Sequence, residues 1–501
     1  MNSPTTCIQS TAEVVFQNNY RNKAFKEIGY TLLFVFSVLL TYAQTNVRAE
    51  VDLQDNQSCT AIPVQSYGVI LQSTIAPRSG RNGKYKLDYF DKDLVKQKSD
   101  SFSIANSSTL YYSFQKDGVN YTLNADNDKA FSLITADFHG YNSSIFNGEL
   151  PSKTDVYQFV VVGQYLYIRC AISNQNTLLQ VNMKTKKQTR LQLHIDDVRR
   201  GDLYSRDLQI LNNELLVFVQ ADISNKTSDL YMFKYSMDGK LLKTINLSAN
   251  IDEKMFDVKT AVIDNKILVS GTFAKTNSDY AQGIFFAELV SDEVVNPKFF
   301  NFLQLKNFST YLTDKAQGAI ERKNEKLANK DAELYINTFA LVHTVLKSAD
   351  GYTITCEMYV PNYVSGSLVN YYYTHAVILK LNIAGKLQWD QSIKLETDLG
   401  DTYLRQIVAT NESSTGDISM SFVKRNTLTT KSMDKNGKVI KEKSLDIKSL
   451  SSADTKTRRN ISTVDPWYEN YFLASGFQRV ASKSTKEKKD IYYMNKLSSD
   501  N

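Results

Sequence analysis

The sequence predicts an all-β chain, a single β-propeller of seven or eight four-stranded blades with eight favoured. Three observations carry that expectation. A strand–turn–strand unit recurs along the chain, its turns step by about one blade length or nearly two, and the last copy stops one strand short.

The clearest copies of the unit span residues 229–247, 375–395 and 428–447. Each alternates apolar and polar residues on both sides of a short turn, the period-two signature of a half-buried strand. Two of the turns are Asp238-Gly239 and Asn436-Gly437, residue types that tolerate positive φ in tight hairpins. Weaker copies turn at Asp91-Lys92, Lys186-Lys187 and Ser291-Asp292, with a degenerate copy at His139-Gly140. The turns step by about 52 residues or by about 94, the shorter step falling near the length of a propeller blade.

Before each hairpin lies a second strand pair. Examples are 208–211 with 215–221, joined at Asn212-Asn213, and 259–264 with 266–273, joined at Asp264-Asn265. Four antiparallel strands per radial repeat make a blade. The final segment, 490–497, reads as a third strand with no fourth after it. Residues 45–53 are expected to supply the missing strand and cover the open edge. No Pro/Gly/Ser-rich linker divides the chain into two β-domains. Composition agrees: 30 Tyr and 25 Phe against 7 Pro suit pleated, half-buried surfaces.

One stretch breaks the pattern. Near 309–333 the chain turns rich in Ala, Lys, Glu and Asn, with Leu312, Ala316, Ala319, Ile320 and Leu327 loosely at helical spacing. A short charged helix inserted before a blade is expected there, its polar face solvated.

Residues 1–43 read as a signal peptide and 44–501 as the propeller domain. Arg21, Lys23 and Lys26 precede an apolar run from Tyr30 to Tyr42, and Ala43 offers a small residue for cleavage. A run of about 13 residues falls short of the ~20 that a membrane span needs. The expected address is therefore the periplasm or cell surface, with no transmembrane segment in the mature chain. The net charge of +6 is spread over interspersed Lys, Arg, Asp and Glu, which gives no nucleic-acid footprint.

No spacing marks a reaction. Gly-x-Ser-x-Gly elbows, phosphate-cradling glycine loops and paired-His zinc helices are absent from the sequence. Asn124-Ala-Asp126-Asn-Asp128 alternates oxygen ligands but lacks the glycine and late Glu of a calcium loop, so no metal site and no cofactor is assigned. Cys170 and Cys356 alternate in phase with aliphatic neighbours and are expected on buried strand faces. Ala384-Gly-Lys-Leu-Gln-Trp389 resembles part of the repeat of quinone-cofactor propeller dehydrogenases. The recurring Trp of that family is missing, since only Trp389 and Trp467 occur.

A broader resemblance rests on Leu341-Val-His343, Asp350-Gly-Tyr352, Glu357-Met-Tyr359-Val-Pro361-Asn-Tyr363, Tyr373-Thr-His-Ala376 and Gly385-Lys-Leu-Gln-Trp-Asp390. This string resembles a family of uncharacterised exported proteins of Bacteroidota. The resemblance implies export and the repeat, and brings no activity with it. The same unit concentrates the candidate ligand-binding residues: His343, Tyr359, Tyr363, Tyr371, Tyr372 and His375, expected around a long loop between two strands. Aromatic rings with polar tips suit contact with a glycan or an envelope protein. The reading is an exported, non-catalytic binding or scaffold propeller. The alternative is an exported glycan-active enzyme with its site at the channel mouth, for which two flanking carboxylates would be required.

Overall fold

A computed structural model describes residues 47–75, 82–105, 110–125, 130–223, 227–249, 251–275, 278, 280–312, 314–328, 334–398, 404–424, 426–447 and 455–499. The segment read as a signal peptide lies outside them, as do 126–128 of the Asn-Ala-Asp-Asn-Asp stretch. Among the described residues, no helix is long and apolar enough to cross a membrane.

The strands form eight antiparallel sheets, each a blade of the propeller. Blades 1 to 7 take their strands in chain order from 57–105, 110–149, 154–191, 203–246, 254–301, 339–398 and 409–446. Blade 8 is composite. Its inner three strands are Thr455–Pro466, Tyr471–Ser482 and Lys488–Ser498, and its outermost is the first strand among the described residues, Val47–Asp52. The unmatched third strand at the end of the sequence is thus completed by the segment after residue 45, as the edge argument requires.

The blades bury what single sheets would expose. Along Glu214–Asp222, the second strand of blade 4, seven consecutive residues are buried. Its Leu215, Val217 and Val219 pack with Val160, Tyr167 and Leu178 of blade 3. The intervening Leu216 and Phe218 pack with Val258, Ile267 and Val269 of blade 5. Successive side chains on a strand point to opposite faces, so one strand feeds two inter-blade cores. Fourth strands such as Val439–Asp446 are largely exposed, which leaves first strands to line the channel.

Two turn designs close the hairpins. Asn212-Asn213, Asp264-Asn265 and Ser291-Asp292 each hold two successive residues at positive φ, the two-residue form. The Gly turns are built differently. Gly239, Gly385 and Gly437 alone take positive φ, at 87°, 72° and 78°. Their N–H groups reach back to the carbonyls of Ser236, Asn382 and Asp434, a turn ending in one left-handed residue. The same glycines let the turn approach the blade before it. A Cβ on Gly437 would stand 2.6 Å from the Trp389 ring of blade 6, and one on Gly385 2.8 Å from Phe286 of blade 5.

Buried carboxylates tie blades together. Asp207 in blade 4 accepts from the backbone N–H and hydroxyl of Thr260 in blade 5, both at 2.8 Å, and from Gln158 of blade 3 at 2.8 Å. The expected insertion is present as a short 3-10 turn, Phe308–Tyr311, and a helix, Asp314–Ala328. Asp390 of blade 6 pins its root by accepting from the N–H groups of Lys306 and Asn307. Cys170 and Cys356 are fully buried, and burial pushes the Cys170 thiol up to about 12.

Candidate functional site

The six candidate residues all lie in blade 6, but they divide into three groups. The stretch expected as a loop is strand. Gly351–Val364 and Ser367–Asn382 run antiparallel to a tight turn at Ser365-Gly366, with β-branched and aromatic residues extending the ladder. Among the described residues, the neighbouring first strand pairs no further than Tyr359, and the fourth no further than Tyr372. Beyond those points the hairpin continues as a two-stranded arm.

The arm presents Tyr363 and Tyr372 to solvent, at 61% and 39% exposure, together with Val360, Val364 and Val369. Tyr371 is half-buried at its base, edge-on to Tyr359 at 5.5 Å. Tyr359 belongs to an aromatic run that continues face-on to Phe339 at 5.6 Å and on to the exposed Tyr280.

The two histidines are interior. His343 holds Glu357 through Nε2 at 2.7 Å. Glu357 is fully buried and also accepts from the N–H groups of Ile407 and Val408. His375 is 1% exposed, stacked on Tyr311 at 3.4 Å and edge-on to Phe308. Burial drops its pKa to about 3, so the ring is neutral. Its Nδ1 meets the Thr374 hydroxyl at 2.9 Å, and its Nε2 has no partner among the described residues. Both histidines therefore serve the packing of blade 6 rather than its surface.

Tyr359 also walls a pocket of about 270 Å³ that no sequence spacing announced. Its other walls include the first strands of blades 4, 5 and 6, notably Tyr204, Arg206, Phe256 and Asp257. Three ladder irregularities frame it, at Ser205/Asp207, Phe256/Lys259 and Met358/Tyr359. Such bulges re-aim side chains and cluster at functional sites. Asp257 sits on one of them at φ 50°. Crowding by the surrounding strands raises its carboxyl pKa, against the pull of Arg206 and Lys259. Arg206 stands 4.0 Å away, held by two hydrogen bonds to Gln220. Burial, with the Asp257 charge adding to it, pushes the Tyr359 hydroxyl up.

A second cavity, of about 840 Å³, occupies another arc of the channel wall. It is bounded by first strands of blades 1, 2 and 8 and by the segment leading into blade 7. Its carboxylate, Asp465, has a pKa raised to about 6 by burial, partly offset by Arg405. These channel residues escaped sequence reading because each pocket assembles from blades far apart in the chain. Their one local signal is a carboxylate on a strand rather than in a turn.

No family model and no curated protein matches the sequence. Among solved structures the chain is similar to polysaccharide lyase Uly1, at 8% identity and TM-score 0.40, over 90% of this chain and 99% of that one. It is similar to the Dos1 propeller at 10% identity and TM-score 0.37, over 75% and 89%. A functionally unknown protein from Desulfotomaculum acetoxidans DSM 771 aligns at 12% identity and TM-score 0.36, over 71% and 91%. The eight sheets themselves, rather than these likenesses, define the fold.

Proposed function

We propose that this chain is an exported, non-catalytic binding propeller of the cell envelope, which engages a partner protein through the arm of blade 6. One observation carries the reading. The arm holds Val360, Tyr363, Val364, Val369 and Tyr372 out of the core on a two-stranded stem that grows from the four-stranded blade. Aromatic side chains on rigid scaffolds give large contact area at low entropic cost, and they are enriched at interface centres. The pocket at the arm's root, with Arg206 and Asp257, offers a polar recess beside that apolar surface. Export rests on the basic segment and apolar run before residue 44, and the mature chain should begin near Gln44. Edman sequencing of protein from its native host that found Met1 intact in the cytosol would remove both the address and the partner class.

The arm is tested by replacing Tyr363 and Tyr372 with Ala. Both are solvent-exposed, so the melting temperature should hold while crosslinking to an envelope partner is lost. Retained crosslinking would end the reading. Binding of glycans instead of protein by the same surface would move the partner class.

The alternative, a glycan-active enzyme at the channel mouth, draws on Asp465, whose carboxyl keeps part of its protonation close to neutral pH as a general acid does. New reducing ends released from a polysaccharide by the wild-type protein, and abolished by Asp465→Asn, would favour it over the first reading.

A further inference from the structure

We propose that the channel cavity between blades 7, 8, 1 and 2 is a binding site for a neutral saccharide, separate from the arm of blade 6. Among the described residues the cavity holds one cationic and one anionic side chain, Arg405 and Asp465, among neutral hydrogen-bonding groups such as Ser113, Gln115 and Gln406. That lining gives no net charge to attract a phosphate or a polycation. It is too polar for a lipid chain, since burying these groups against hydrocarbon leaves them unmatched. A sugar ring has alternating hydroxyl donors and acceptors around its rim and apolar C–H faces above and below. Carboxylate and guanidinium groups meet the first, and walls such as Trp467 and Pro63 meet the second. The volume of about 840 Å³ falls in the range of small-molecule sites and holds more than one ring.

The polar edge of this cavity is built in advance. Residues 404–408 lie outside any strand, a region where backbone freedom would normally blur a site. Blade 6 fixes them from behind. The Tyr373 hydroxyl donates to the Arg405 carbonyl at 2.6 Å and accepts from the Arg405 N–H at 3.2 Å. Glu357 takes the N–H groups of Ile407 and Val408 at 2.9 Å each. On the facing wall the Gln115 side-chain N–H₂ donates to the Pro63 carbonyl at 2.8 Å, which fixes the amide while its oxygen remains an acceptor. Groups held by a supporting layer bind without ordering costs at the moment of capture. His343, through Glu357, and Tyr373 are then positioning residues for this cavity.

The chain supplies its own reporter. Of its two tryptophans, Trp467 lines the cavity and Trp389 packs against the outer turn of blade 7. In a Trp389→Phe protein excited beyond the tyrosine absorption band, the tryptophan emission comes from Trp467 alone. We would titrate it with maltotriose, cellotriose, mannotriose and triacetylchitotriose up to about 10 mM, enough to reveal millimolar dissociation constants. At least one should give a saturable change. Asp465→Asn and Gln115→Ala should each weaken it by about tenfold, as for a lost charge-assisted hydrogen bond or anchored amide. The Tyr363→Ala/Tyr372→Ala protein should titrate as its parent does, which separates this site from the arm. Two results would overturn the proposal: no saturable change with any trisaccharide in protein that melts like the parent, or binding that both cavity substitutions leave intact.

Discussion

Arg48 lays its guanidinium over the ring of Tyr493, 4.6 Å from the centroid, and so joins the strand Val47–Asp52 to the strand Lys488–Ser498. The same guanidinium donates to Gln478 at 2.8 Å and Asn495 at 3.2 Å, both fully buried in blade 8. Closure is therefore a side-chain plug as well as a backbone ladder. Beyond the strand, the Leu53 N–H still reaches the Asp490 carbonyl at 2.9 Å.

Arg48→Ala should cost about 2 kcal/mol, the range for hydrogen bonds to a charged group whose partners stay buried. Deleting 45–52 should cost more and should promote association, because it uncovers the edge of Lys488–Ser498. Urea unfolding and light scattering check the two. A truncated protein that melted and stayed monomeric like the parent would contradict closure by the N-terminal strand.

Gly437→Ala should destabilise through two effects at one residue. Its φ of 78° lies where only glycine rests without strain, and the added Cβ would meet Trp389 at 2.6 Å. A loss of about 2 kcal/mol is expected from strain and overpacking together. Pairing it with Trp389→Ala should recover part of that loss, and a double-mutant cycle in urea measures how much. Strict additivity would show that the contact contributes nothing.

Much of the architecture was legible in the sequence because it is local. Alternation marked the strands, paired turn residues marked hairpins such as 264–265 and 291–292, and the missing fourth strand marked the ring. The helix showed itself by a change of period. The channel was not legible. Asp257, Arg206 and Tyr359 meet across three blades, and each stands at or beside a bulge that no alternation pattern reveals. His343 and His375 stood among the candidate ligands because spacing does not report burial, and a strand histidine bonded within the sheet reads the same as one that faces a ligand. The tyrosines looked like a loop because a ladder beyond its flanking strands has the same composition as one within them.

Glu357→Ala should be among the most damaging single changes in blade 6, at about 3 kcal/mol. Its carboxylate takes hydrogen bonds from His343, Ile407 and Val408 with no exposure to water. Removing it leaves three donors buried and unmatched. Hydrogen exchange should locate the effect, with faster exchange at Ile407 and Val408 than in blade 3. Uniform loss across all blades would mean that the pair does not act as a local latch.

His375 should make stability depend on pH in a defined window. Its folded pKa is lowered to about 3 by burial, against about 6.5 in an unfolded chain. The unfolded state therefore binds the extra proton between these values, and stability rises with pH there. The contribution is fully present above about pH 6.5 and is lost as pH falls toward about 3, at close to 1.4 kcal/mol per unit. Asp465 works in the opposite sense. Its folded pKa, raised to about 6, makes the folded state bind the proton first, so its contribution is lost as pH rises through about 6. The two overlap between about pH 4 and 6, so the wild-type profile alone would understate each. His375→Phe keeps the stack on Tyr311 and removes the titrating ring with its unpartnered Nε2. Relative to that variant, the wild type should lose about 2 kcal/mol between pH 6.5 and 5, read from urea midpoints at each pH. Asp465→Asn should stabilise at pH 7.5 and change little at pH 4. Parallel pH profiles for wild type and His375→Phe would show that the ring is protonated in the folded protein or open to water. The stack between Tyr311 and Phe308 would then have to open in solution.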